Sequence, residues 1–168
     1  MKRETLTRED INRIQAEIDH RKLVVRPAAL QALKEARAMG DLSENFEYHC
    51  AKRDNNQNNG RIRYLEKMIE NAIIIDDSSA PDEVGMNNTV QVRFTDDDSE
   101  ETFRIVTPIR SDSRRGLISN ESPLGKALLH HKVGETVTVT TENGAEFSVC
   151  IIGLENTGES SDDTIHQY

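Results

Sequence analysis

The residues best suited to chemistry are two carboxylates in Gly40-Asp41-Leu42-Ser43-Glu44-Asn45-Phe46-Glu47-Tyr48, a short acidic stretch between two long helical ones. Gly40 suits a helix end, since glycine enters positive φ without a Cβ penalty. Asp41 with Glu44 three residues on reads as a capping box that opens the next helix. The routine role of such a pair is to satisfy orphan backbone N–H groups. The alternative is that both carboxylates face outward and hold a divalent cation. Two carboxylates alone bind Mg²⁺ weakly, because the ion wants further oxygens from a phosphate or a partner. A tip of this kind would donate half a metal site to another molecule's chemistry.

Basic residues lie near the acidic pair. Arg37, Lys52 and Arg53 fall one or two turns below the tip on the two arms and could form a small basic patch, or be ordinary helix-surface charge. His130-His131 and His49 read as surface or helix-end residues rather than metal ligands. Asp96-Asp97-Asp98 lacks the ligand spacing of a calcium loop and reads as a solvated hairpin turn. Cys50 and Cys150 have no metal spacing and read as two reduced thiols of a cytosolic protein.

Two elements must position the tip. Thr7 with Asp10 is a second capping box, opening a helix whose Ile11, Ile14 and Ile18 recur at helical spacing. Pro27 restricts Arg26, so a kink or short break is expected near Lys22–Arg26. Helix resumes through Leu30, Leu33 and Ala36 to the tip. On the return arm Ile62, Leu65, Ile69 and Ala72 are spaced 3, 4 and 3, a heptad register. Thr7–Met39 and Glu44–Ile75 match in length, which predicts an antiparallel hairpin with arms of about 45 Å. The run Asp54-Asn55-Asn56-Gln57-Asn58-Asn59-Gly60 has loop composition, yet the returning period at Ile62 predicts a continuous, loosely packed helix.

Beyond residue 75 the period changes from helical to twofold. Residues 76–88 are polar and turn-rich and read as a linker. Thr89–Phe94, Glu101–Val106, Glu135–Thr140 and Phe147–Leu154 read as strands, with Glu142-Asn143-Gly144 as the last turn. Ser122-Pro123-Leu124 starts a short helix to about Leu129. The fold class is therefore α+β. A helical hairpin at 1–75 and a linker at 76–88 precede a small antiparallel sheet crossed by one helix at 89–154 and an acidic tail at 155–168.

Composition sets bounds. Of 168 residues 30% are charged and 4% aromatic, with no tryptophan, which suits exposed helices better than one aromatic-rich core. No apolar run approaches a membrane span, and nothing at the start reads as a signal peptide, so no membrane partner is expected. Residues 1–75 hold 14 Lys/Arg against 12 Asp/Glu, while residues 76–168 hold 7 against 18. The acidic half is poorly suited to gripping a phosphate backbone, whereas the first half can approach one.

The segment Ala36-Arg37-Ala38-Met39-Gly40-Asp41-Leu42-Ser43-Glu44-Asn45-Phe46-Glu47-Tyr48 closely resembles the tip of the Gre transcript-cleavage factors. So do Arg26-Pro27, Gly60-Arg61-Ile62-Arg63-Tyr64-Leu65-Glu66, Phe103-Arg104-Ile105-Val106, Ile118-Ser119 and Ser122-Pro123-Leu124-Gly125-Lys126-Ala127-Leu128-Leu129, spanning about residues 5–153. The resemblance implies a coiled-coil hairpin and an FKBP-like domain without isomerase activity. It implies an accessory factor, not an enzyme, whose second domain binds bacterial RNA polymerase at the rim of its secondary channel. The hairpin would enter the channel, and Asp41 and Glu44 would help hold the second Mg²⁺, shared with the polymerase, for hydrolysis of backtracked RNA. By the same carry-over Arg37 with Lys52 or Arg53 would steer the nascent RNA 3′ end. A polymerase-channel inhibitor on the same scaffold and an FKBP-like folding helper are the alternatives. The chain departs from the family pattern in the polar run Asn55–Asn59, in Phe46 where a small residue is usual, and in a longer tail.

Overall fold

The computed structural model describes residues 3–40, 45–76, 79–158 and Ile165, and the chain divides into two compact units, Met1–Ile74 and Ile75–Tyr168. The architecture is α+β, a helical hairpin followed by a small sheet domain.

In the first unit, strand β1 (Thr5–Leu6) leads into helix α1 (Arg8–His20). The capping box forms as expected: Thr7 Oγ1 accepts the Asp10 N–H at 3.2 Å, and Asp10 Oδ2 accepts the Thr7 N–H at 3.0 Å. No break follows. The backbone runs through a π-helical segment, Arg21–Val25, directly into helix α2 (Arg26–Ala38), with Arg26 at φ −62°, ψ −47°. The expected kink near Lys22–Arg26 is thus a widened turn. Proline lacks an N–H and its ring crowds the carbonyl four residues back, and an i→i+5 turn relieves both without leaving the helix.

The return arm is one helix, α3 (Phe46–Asn71), continuous through the asparagine run. Strand β2 (Ile73–Ile74) then pairs in parallel with β1, Leu6 opposite Ile74, closing the base. Leu6, Ile14, Ile18, Ile62, Leu65 and Met68 are buried there. Met68 takes the inward position that the heptad reading gave to Ile69, which is half-buried. Towards the tip the apolar seam thins: Leu23, Val24 and Leu30 are exposed, and of the apolar residues of α2 only Ala36 is fully buried.

The second unit is built on a five-stranded sheet ordered β5-β4-β3-β7-β6, with β3 (Thr89–Phe94), β4 (Glu100–Val106), β5 (Leu117–Ser119), β6 (Thr136–Thr140) and β7 (Glu146–Glu155). The sheet is mixed, because β5, absent from the sequence reading, pairs in parallel with β4. The chain reaches that register through two 3₁₀ turns, Pro108–Arg110 and Ser113–Arg115, too long a path for a hairpin. Val90, Val92, Ile105, Val137, Val139, Val149 and Ile151 form the core, with Leu128 of helix α4 (Pro123–Leu128) laid on it. Val84 and Met86 belong to that core, and the Val84 backbone bonds to His131 and His130. Residues 79–88 are therefore part of the domain rather than a linker. Two apolar side chains at alternate positions were hidden by the turn-rich composition around them. The tail's first residues are also tied down, since Arg104 Nη2 donates to the Gly158 carbonyl.

Candidate functional site

The end of the hairpin is assembled from two helix termini and one asparagine. Helix α2 stops at Ala38, Met39 turns its N–H to the Ala36 carbonyl, and Gly40 follows at φ +119°, where a side chain would be strained. Helix α3 begins at Phe46 behind Asn45, whose extended backbone (φ −83°, ψ 95°) marks it as the N-cap. Asn45 Oδ1 accepts the Tyr48 N–H at 2.9 Å, and Asn45 Nδ2 donates to the Ala36 carbonyl at 2.7 Å. One side chain thus satisfies an orphan donor of α3 and bonds a terminal carbonyl of α2. The N-cap of α3 is therefore Asn45. Asp41 and Glu44 themselves lie outside the described residues.

Immediately below, the arms bring two cations to one aromatic ring. Arg37 Cζ lies 5.7 Å and Lys52 Nζ 5.9 Å from the centroid of the half-buried Tyr48. Lys52 is one turn beyond Tyr48 on α3, and Arg37 comes from α2, so the cluster exists only when the arms are paired. Each cation is drawn to the electron-rich ring face, an attraction worth about 0.5–1 kcal/mol at an exposed site. The ring attracts both cations without neutralising either. Arg53 does not join them. Its Nε lies 3.8 Å from Asp54 Oδ1, and both side chains are exposed, a pairing of little energy. His49 meets Tyr48 edge-on at 5.6 Å. Tyr48 is the residue that sequence reasoning missed as an organiser; its place between Arg37 and Lys52 follows from i,i+4 spacing only once the arms are aligned.

Lower on the hairpin, Glu17 gathers both arms. Arg61 donates to its two carboxylate oxygens at 3.0 and 3.2 Å, and Arg21 Nε donates at 2.7 Å. Burial alone would raise the Glu17 pKa, but the hydrogen bonds and charges of Arg61 and Arg21 hold it below the usual carboxylate value. Lys22 Nζ reaches Glu66 across the arms at 2.6 Å.

Elsewhere, His131 Nδ1 lies 2.7 Å from Glu135, and Asp97 caps its own loop by accepting from Ser99. Cys50 and Cys150 are free thiols. Among the described residues no group of three or more His, Cys, Asp or Glu is gathered to hold a metal, and no helix is long and apolar enough to cross a membrane.

Comparison with known proteins covers both units. A family described as "Transcription elongation factor, N-terminal" matches residues 4–74, and one described as "Transcription elongation factor, GreA/GreB, C-term" matches residues 78–156. A protein from Macrococcus caseolyticus named transcription elongation factor GreA is 39% identical over 149 residues, covering 89% of this chain and 94% of that one. A protein of the same name from a Methylobacterium species is 43% identical over 146 residues, covering 86% and 92%. One from Thermotoga maritima is 40% identical over 146 residues, covering 87% and 94%.

Proposed function

The chain belongs to the GreA/GreB family of transcription elongation factors, and from that premise we propose that it rescues backtracked RNA polymerase by stimulating cleavage of the nascent transcript. In this reading it turns over nothing itself and acts in the bacterial cytoplasm. The second domain holds the polymerase at the rim of its secondary channel, and the hairpin reaches in.

The observation that carries the reading is the convergence of Arg37 and Lys52 on Tyr48, directly below the segment that bears Asp41 and Glu44. The acidic pair and the basic pair would serve different parts of one phosphodiester. Asp41 and Glu44 are the residues that would hold a Mg²⁺ shared with the polymerase, and their hard carboxylate oxygens are the donors that ion takes alongside phosphate. Such an ion supplies an acidified water and stabilises charge on the leaving oxygen. Arg37 and Lys52 hold the RNA phosphate beside the tip, and Tyr48 fixes where those cations stand. Asn45 sets the distance between the arms at the point where the acidic segment leaves α2 and enters α3. Because the free tip offers only half a coordination shell, its contribution depends on the partner.

The test is the double variant Asp41→Ala/Glu44→Ala on a stalled, backtracked elongation complex, with polymerase binding measured in parallel. Lost cleavage with retained binding is expected. Trimming as efficient as the parent's would refute the proposal. Uncut RNA with slowed synthesis from the parent protein would instead point to a channel inhibitor.

A further inference from the structure

The asparagine run that departs from the family pattern has a physical role at the middle of the hairpin. Asn58 is 4% exposed although it is polar and sits on a helix whose surroundings are largely solvent. Its Oδ1 accepts from Arg21 Nη1 at 3.2 Å, and its Nδ2 donates to the Arg21 carbonyl at 3.3 Å. That carbonyl opens the π-helical segment, where it also accepts the Arg26 N–H across five residues. One turn along the opposite arm, Arg26 Nε donates to Asn59 Oδ1 at 3.0 Å. Two adjacent asparagines of α3 therefore grip the first and the following residue of the wide turn, Arg21 and Arg26.

The wide turn changes which residues face α3. Continuing the 3.5-residue spacing of a coiled-coil seam from the buried Ile14 and Ile18 brings positions 21, 25, 28, 32 and 35 inward. Arg21 and Val25 are half-buried as that register requires, but Ala28, Ala32 and Glu35 are exposed. The inward set is instead Ala29, Leu33 and Ala36, one residue later. A turn closed between Arg26 N–H and the Arg21 carbonyl takes up one residue more than an α turn, which rotates everything beyond it by about 100° around the helix axis. Without it, Arg37 would take the direction that Ala38 now has, and the convergence on Tyr48 would be lost.

We propose that the Arg21–Val25 turn, locked by Asn58 and Asn59, is a phase-setting joint, and that Asn58 is a positioning residue for the hairpin end. The proposal rests on the cleavage-factor reading for its functional consequence, but not for its structural one. The apolar seam thins at this height to Ala29, Leu33 and Ala36, so these bonds, with the Asn45–Ala36 bond at the far end of α2, fix its rotation. Hydrogen bonds to a backbone carbonyl and a guanidinium are directional, and they select one phase where apolar contact would tolerate several.

The experiment compares the full-length parent with Asn58→Leu and Asn58→Asp. Asn58→Leu keeps the volume and removes both bonds. Asn58→Asp keeps an acceptor for Arg21 and loses the donor to its carbonyl. Amide hydrogen exchange read by mass spectrometry is expected to quicken over 21–38 in Asn58→Leu, with 8–18 and 62–70 unchanged, and to quicken less in Asn58→Asp. In the transcript-cleavage assay the maximal stimulated rate is expected to fall about tenfold or more, as misplacement of reacting groups by an ångström does. The factor concentration giving half-maximal effect is expected to stay within about twofold, since polymerase binding is not touched. Unchanged exchange over 21–38 overturns the joint, and an unchanged maximal rate despite quickened exchange overturns the positioning role. If Asn58→Leu fails to fold, Asn58→Asp is judged by the same two criteria. Should the parent stimulate no cleavage, the functional premise fails while the exchange arm still decides whether the joint exists.

Discussion

Replacing Glu17 by glutamine isolates the strongest polar contact between the arms. In the parent, Arg61 makes a two-point contact with Glu17 and Arg21 adds a third bond, with side-chain exposures of 10% for Arg61 and 23% for Glu17. Glutamine keeps one acceptor and the volume, but it removes the charge that two guanidinium groups face. Breaking a fully buried pair costs about 3–5 kcal/mol. An exposed one is worth about 0–1 kcal/mol. The intermediate exposure here sets the expected loss at about 1–2 kcal/mol, since water screens Glu17 more than Arg61. The pH dependence has a definite sign. Glu17 is held below its ordinary carboxylate value in the folded chain, so its stabilisation is full above the unfolded value of 4.5 and disappears as pH falls through the lower folded value. Urea titrations followed by helicity should therefore separate parent and Glu17→Gln fully at pH 7. The gap should narrow progressively below pH 4.5. Equal stability at pH 7, or a gap that persists unchanged into acid, would refute the charge-based account and leave packing as the cause.

Two further substitutions test the ends of the elements. Asn45→Ala removes the α3 cap and at once takes the side-chain donor from the Ala36 carbonyl, and a loss of about 1–2 kcal/mol with reduced helicity is expected in thermal melts. Gly125→Ala places a Cβ 2.1 Å from the Ser119 carbonyl oxygen, so α4 must shift off β5, and a loss of at least about 2 kcal/mol in the second unit is expected. Retention of the parent's near-UV signal and denaturation midpoint in Gly125→Ala would show that the loop before α4 yields instead.

The sequence displayed those features whose cause is local and periodic. Strand β3 runs from Thr89 to Phe94 as read, because Val90 and Val92 alternate with polar neighbours on one face. The Thr7 box and the Gly40 stop were legible because a cap or a positive φ is decided by a few adjacent atoms. Features decided across the chain were not. Strand β5 is three residues long and has no alternation to show; what places it is the parallel register with Arg104–Val106. Asn45 was overshadowed in the sequence by Asp41, an equally good cap by type; its bonds to the Tyr48 N–H and to Ala36 on the other arm show its role. Pro27 predicts disturbance of a helix but not its form. The widened form goes with a bond from Asn58, 37 residues from Arg21 in sequence, to the Arg21 carbonyl. The cluster at Tyr48 was half legible: Arg37 and Lys52 were placed near the tip by arm length, while the ring that collects them and the departure of Arg53 needed the rotational phase of α2.

That phase also explains how the hairpin divides its work. At the base, Ile14, Ile18, Ile62, Leu65 and Met68 supply stability through apolar burial, which is roughly indifferent to small rotations. From Glu17 upward the contacts between the arms include Glu17–Arg61, Lys22–Glu66, Arg21–Asn58 and Arg26–Asn59 beside Leu33 and the small inward side chains Ala29 and Ala36, while Leu23 and Val24 are left in solvent. Polar rungs of this kind add little net free energy, because each group gives up water to make its bond. They do penalise every arrangement that leaves those groups unpaired, and so they specify one. A probe that must deliver side chains at a distance needs both properties, and here they fall on different residues. Glu17→Gln acts where the seam and the rungs meet and should lower the melting point with the upper arm still in phase. Asn58→Leu should do the reverse, leaving the melt of the base nearly intact while α2 loses its fixed direction.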